Sequence, residues 1–216
     1  MSISDNLFQI QTKLRGQILI AATKYVSDTQ IRELYALGID DVGENRVDAF
    51  LEKKRRLTDL PLVWHFIGQL QTNKVKLVIN ELDYLHSLDR ISLAEAIQKY
   101  RQEPPLKCFV EVHISDEATK SGVLPELTVE LCKNIAKCDK IVVVGLMGMG
   151  PLSDNQDEIR TSFMKLKQLQ SEIKALGLPN VPCDYLSMGM SNDYEIAIAC
   201  GATHLRLGSI LFRNEE

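Results

Sequence analysis

Residues 107–115, KCFVEVHIS, carry two opposed faces. Side chains on an extended chain alternate, so Val110, Val112 and Ile114 share one side while Glu111 and His113 share the other. The stretch reads as a strand whose apolar face packs under helices and whose polar face looks into a lumen. Further strand candidates lie on both sides of it: ILIAATK (18–24), DDVGEN (40–45), LVWHFIG (62–68), DYLHSLD (83–89), IVVVGLMGMG (141–150), DYLSMGM (184–190) and THLRLGSIL (203–211). Amphipathic helical patterns separate them. VSDTQIRELYALG has Ser27 as a cap and Gly38 as a stop. ISLAEAIQKYRQE runs up to the breaker Pro104-Pro105. PELTVELCKNIAK and DEIRTSFMKLKQLQSEIKALG keep an i, i+3, i+4 apolar stripe, DYEIAIACG is shorter, and one more helix is expected ahead of the first strand. Strands alternating with helices from end to end predict one α/β domain over residues 1–216, a closed parallel (β/α)8 TIM-type barrel. The alternative is a doubly wound open sheet. No G-x-G-x-x-G follows the first strand and no P-loop pattern occurs, which disfavours it.

Composition agrees with a globular domain. The 216 residues are 45% hydrophobic and 25% charged, with a formal net charge of −4. A nucleic-acid partner needs a basic face and is not expected. The run Lys53-Lys54-Arg55-Arg56 reads as the solvated side of a helix. The five cysteines (Cys108, Cys132, Cys138, Cys183 and Cys200) form no C-x-x-C pair, so neither a disulfide framework nor a zinc site is expected, and a reducing cytoplasm is. The N-terminus lacks a signal-like apolar run, and no stretch approaches the roughly 18–20 apolar residues of a membrane span.

In a β/α barrel the active site gathers at the C-terminal strand ends. Lys24 closes the first strand on the face shared by Ile18, Ile20 and Ala22. An amine at an apolar barrel mouth loses its proton more readily and can form a Schiff base with an aldehyde; the plainer reading is a lysine reaching into solvent. Arg206 lies mid-strand beside His204 and Gly208, where a guanidinium requires a partner. That partner is either a structural ion pair, with Glu111 as the candidate, or a ligand nitrogen or anion. The segments SMGMSND (187–193) and RLGSI (206–210) end the last two strands, where barrels often bind phosphate on backbone N–H groups. Their plainer reading is tight turns with capping serines, with Asn192 or Asp193 as the cap. GEN (43–45) and HFIGQLQTNK (65–74) bring polar groups to the same mouth, with His65 read as a core histidine.

Taken together, ATK, GEN, WHFIGQLQTNK, HSLDR, ISDEATKSG, GLMGMGP and SMGMSNDYEIAIACGATHLRLGSILF occur in one order along nearly the whole chain. The chain thereby resembles the pyridoxal phosphate homeostasis proteins, a family with a fold like the N-terminal barrel of alanine racemase. The resemblance implies a protein that holds pyridoxal 5′-phosphate (PLP) on Lys24 through a Schiff base. Asn45 would face the cofactor. Ser187, Met188, Gly208 and Ser209 would hold the phosphate, with Ser191 nearby, and Arg206 would pair with the pyridine nitrogen. Lys120 matches a position suspected of secondary cofactor handling. The family is described as cytoplasmic, usually monomeric and without clear catalysis, and is linked to vitamin B6 supply. Transient contact with PLP-dependent apoenzymes would follow from such a role. Two departures occur: Ser209 stands where threonine is common, and the usual Ile-Phe-Gly ending reads Leu211-Phe212-Arg213.

The implied role is storage and supply, not turnover. An arginine at the pyridine nitrogen cannot readily give up a proton, so the ring stays a poor electron sink. Racemases of this barrel type add a second domain that supplies a tyrosine, and none is expected after Leu211. The alternatives are a minor PLP-dependent amino-acid racemase, a PLP-independent Schiff-base aldolase of sugar phosphates, and a scaffold whose loops bind a partner.

Overall fold

The computed structural model describes residues 2–115 and 121–213. Lys120 lies outside them. Eight parallel strands close into a barrel in sequence order: β1 (Ile18–Ala22), β2 (Asp41–Glu44), β3 (Val63–Phe66), β4 (Tyr84–Leu88), β5 (Leu106–Val112), β6 (Ile141–Gly148), β7 (Tyr185–Ser187) and β8 (His204–Leu207). Closure comes from β1 pairing with β8 over Ile18↔His204 to Ala21↔Leu207. The expected barrel is therefore the one formed.

Helix α1 (Ile3–Gln11) precedes the barrel. The crossovers contain α2 (Asp28–Ala36), α3 (Val47–Arg56), a 3-10 turn (Thr72–Lys74) leading into α4 (Val75–Val78), α5 (Ile91–Tyr100), α6 (Pro125–Ile135), α7 (Gln156–Ala175) and α8 (Tyr194–Ala199), and α9 (Ser209–Phe212) follows β8. Ser27 caps α2 as its sequence predicts, in a capping box with Gln30, and Gly38 ends that turn at φ +87°.

Odd and even positions on each strand separate as the alternation requires. Leu19, Val42, Phe66, Leu85, Val110, Leu146 and Leu205 face outward into a continuous core with the helices. Phe109, Val144 and Met147 form a second, smaller apolar cluster inside the barrel, with Tyr84, Val142 and Met149 against it. Inside the barrel they are joined by His65, His86, Ser187 and His204, all buried.

Three expectations need correction. The first strand ends at Ala22, not Lys24, and the last ends at Leu207, not Leu211; Ser209 opens the short helix α9. Lys24 and Ser209 thus both lie just past the C-terminal ends of their strands. The basic run is also not wholly solvated. Lys53 is only 7% exposed and pairs with buried Glu44. Its amine reaches from α3 to the ends of β1 and β2, where it donates to the Thr23 carbonyl and to Glu44.

Candidate functional site

A cavity of about 850 Å³ opens at the C-terminal ends of the strands. Lys24, Asn45, Ser191, Arg206, Gly208 and Ser209 all line it. Six residues singled out in the sequence, spread over four strand ends, thus meet at one place.

Lys24 follows β1 and is exposed at this mouth, the single lysine among the described residues of the cavity wall. Among the described residues its amine has no hydrogen bond or ion pair. Its backbone is held from behind. The Thr23 N–H donates to the Gly43 carbonyl (2.9 Å), and the Thr23 hydroxyl donates to Glu44 Oε1 (2.9 Å). Lys53 Nζ donates to the Thr23 carbonyl (2.5 Å) as well as to Glu44. Immediately after Lys24, Tyr25 takes φ +65°, a left-handed conformation unusual for a bulky residue. Asn45 directly follows β2 and lies against Gly68, where any Cβ would lie 2.3 Å from the Asn45 carbonyl oxygen. Glycine at 68 is what lets the Asn45 backbone sit so close to the third strand end.

The loops after β7 and β8 build a cup. Ser191 Oγ accepts hydrogen bonds from the Gly208 and Ile210 N–H groups, both at 3.3 Å. With two donors already received, its own hydroxyl proton is free to point into the cavity. The N–H groups of Ser191, Asn192 and Ser209 have no hydrogen-bond partner among the described residues. Asp193 does not cap α8 by a side-chain bond; its Oδ1 accepts from the Met190 N–H (2.6 Å) and so shapes the preceding turn. Gly189 enters that turn at φ +96°, and a Cβ there would lie 2.6 Å from Ala197 Cβ. Donors thus converge where charge complementarity calls for an anion.

Arg206 reaches the cavity from inside the barrel and is 6% exposed. It forms no ion pair with Glu111. Its Nη1 donates to Ser187 Oγ (2.6 Å) and its Nη2 to the Gly148 carbonyl (3.2 Å). Burial lowers its pKa to about 10, with Asp193 and Glu111 acting in the opposite sense, so it stays cationic at neutral pH. Glu111 instead accepts from Gln69 Nε2 (2.6 Å) and Ser121 Oγ (2.5 Å), and burial raises its pKa.

Ser187 and Met188 are not on the cavity wall. The Ser187 hydroxyl lies beneath it, bonded to Arg206 and to His86 Nδ1 (2.9 Å). Met188 is fully buried in the outer core, and its N–H donates to the His204 carbonyl. His65 is a satisfied core histidine, as read: Nε2 meets Asp41 Oδ1 (2.7 Å) and Nδ1 meets His86 Nε2 (2.9 Å). The β6–α7 segment from Met149 to Gln156 forms one side of the cavity. The Pro151 punctuation after the sixth strand was the available signal for a loop there. Nothing local showed that it would border the lysine.

Comparisons agree with this architecture. The family described as alanine racemase, N-terminal domain, matches residues 1–215. The "Pyridoxal phosphate homeostasis protein" of Aquifex aeolicus is 43% identical over 90% of this chain and 85% of its own length. PipY of Synechococcus elongatus, solved without PLP, superposes at a TM-score of 0.92 with 32% identity, over 98% of this chain and all of the other. The PLP-bound form of PipY superposes at 0.89 with 31% identity and the same coverage.

Proposed function

The chain belongs to the alanine racemase N-terminal-domain family, alongside the pyridoxal phosphate homeostasis proteins, and from that membership we propose that it binds PLP through Lys24 and holds it for supply. The observation that carries the reading is the convergence of one unpartnered amine, a donor-rich cup and a buried guanidinium on a single cavity. An aldehyde, a phosphate and a pyridine nitrogen are the three groups that this donor set complements. Lys24 would take the aldehyde. Ser191, Ser209, Gly208 and the free N–H groups beside them would take the phosphate. Arg206 would face the ring nitrogen and Asn45 the ring. Met188 would contribute by packing the cup from below, and Ser187 by holding Arg206.

When bound, PLP supplies an electron sink for carbanion chemistry. Arg206 limits that use, because a guanidinium donates hydrogen bonds and keeps its protons at neutral pH. Racemisation also needs acid–base groups on opposite faces of the substrate carbon. Among the described residues of the cavity wall, no tyrosine, histidine or cysteine stands opposite Lys24; the acids are Asp154 and Asp193, and Asp193 already holds the Met190 N–H. The wall therefore binds better than it catalyses. Among the described residues no helix is long and apolar enough to cross a membrane. A cytoplasmic monomer that meets PLP-dependent apoenzymes transiently is the setting we propose.

Absorption spectra of the purified chain test this. The unmodified protein with added PLP should show a visible band that survives gel filtration, and Lys24→Ala should not. Borohydride reduction and peptide mapping should place the pyridoxyl group on Lys24. A label on another residue, or a colourless protein, overturns the assignment. A chiral assay across the common amino acids separates supply from slow racemisation.

A further inference from the structure

A file of polar side chains crosses the barrel interior from the N-terminal end of β2 to the cavity. Asp41 Oδ1 meets His65 Nε2 at 2.7 Å, His65 Nδ1 meets His86 Nε2 at 2.9 Å, and His86 Nδ1 meets Ser187 Oγ at 2.9 Å. Ser187 Oγ receives Arg206 Nη1 at 2.6 Å. Five residues from β2, β3, β4, β7 and β8 are thus joined without a break, in an interior that also holds the apolar Phe109, Val144 and Met147 and the ring of His204.

The chemistry of the two ends fixes every link between them. A guanidinium only donates, so Ser187 Oγ must accept from Arg206. Its own proton then has one remaining partner, His86 Nδ1. That nitrogen must accept, which puts the His86 proton on Nε2. His86 Nε2–H donates to His65 Nδ1, which puts the His65 proton on Nε2 in turn. That proton goes to Asp41, whose carboxylate only accepts. The opposite direction would make Ser187 Oγ accept from both neighbours and leave its own proton without an acceptor among the described residues, and it would need a doubly protonated His65 to serve both His86 and the Asp41 carboxylate.

The rings are held so that these nitrogens stay aimed. Tyr84 stacks on His65 with centroids 4.5 Å apart and planes 5° apart, and Phe109 stacks on His86 at 4.4 Å and 24°. A doubly protonated His86 would have no acceptor to offer Ser187. Burial, with His65, Arg206 and His204 adding to it, holds the His86 pKa well below its ordinary value and keeps the ring neutral.

We propose that Asp41, His65, His86 and Ser187 form a one-way hydrogen-bond relay that crosses the barrel and fixes Arg206 in place. They are positioning residues for the cation that faces the cavity. The relay itself is a property of the chain. Its effect on a ligand rests on the proposed PLP site.

Two measurements on the full chain decide it. Long-range ¹H–¹⁵N correlation spectra without cofactor should show both His65 and His86 as neutral Nε2–H tautomers. An Nδ1–H form of either ring overturns the relay. His86→Phe keeps an aromatic ring against Phe109 but removes both nitrogens, so Ser187 loses its acceptor. With PLP added, this variant should shift the visible band and release the cofactor about five- to tenfold faster, the effect of losing about one hydrogen bond. An unchanged band and release rate overturn the proposed role. If the unmodified chain takes up no PLP, the proposed function fails while the tautomers still judge the relay. If His86→Phe does not fold, the tautomers decide alone.

Discussion

Lys53→Met should destabilise the chain strongly and loosen the lysine at the mouth. In the folded protein the Lys53 side chain is 9% exposed and that of Glu44 is 1% exposed. Glu44 Oε1 accepts from Lys53 and from the Thr23 hydroxyl, while Oε2 has no partner among the described residues. Methionine fills the space of the lysine stem but leaves a buried carboxylate with one neutral donor. Breaking a buried pair from one side typically costs about 3–5 kcal/mol. A chain of this size loses about 2–4 °C in Tm per kcal/mol, so the melting point should fall by about 6–20 °C. The carbonyl of Thr23 is also released, so bound PLP should dissociate faster. Adding Glu44→Leu to the same chain removes the stranded charge and should recover most of the loss. Calorimetry and urea titrations of the two single variants and the double variant give the full cycle. A loss below about 1 kcal/mol for Lys53→Met, or a double variant no more stable than it, would refute the reasoning.

Three further outcomes are expected. Ser191→Ala removes the hydroxyl that ties the loop after β7 to the Gly208 and Ile210 N–H groups, and equilibrium titration should show PLP affinity about tenfold weaker with little change in Tm. Gly189→Ala meets both the positive φ and the contact with Ala197 Cβ, so urea unfolding should show a loss of about 2 kcal/mol. His204 is held neutral by burial, its pKa lowered from 6.5 to about 4. The unfolded chain takes up that proton as pH falls below about 6.5 while the folded chain resists until about 4, so stability is lost across that window. The loss approaches about 3 kcal/mol by pH 4, and the urea midpoint of His204→Phe should fall less steeply over the same range.

Much of this protein is written in local patterns. The two-faced strand Lys107–Ser115, the Ser27 cap, the Gly38 stop and the alternating helical stripes each reflect forces between near neighbours, so the sequence alone determines eight strands, their intervening helices and a closed parallel barrel. It also brings Lys24 and the two glycine–serine loops to the C-terminal rim, because strand order and direction dictate which ends share a mouth. Only the tertiary structure decides which polar groups touch. Glu111 was the nearest candidate partner for Arg206 by residue type, yet Ser187, singled out for a phosphate and not for the guanidinium, takes Arg206 while Gln69 and Ser121 take Glu111. Lys53 sits in a run that reads as solvent-facing and is instead buried against Glu44 and the Thr23 carbonyl, which the fold brings to it from β2 and the end of β1. The file from Asp41 to Arg206 joins five strands that are far apart in the chain. Such contacts depend on strand stagger and ring orientation inside a closed barrel, and those are set by the packing of all eight strands together, not by any one of them.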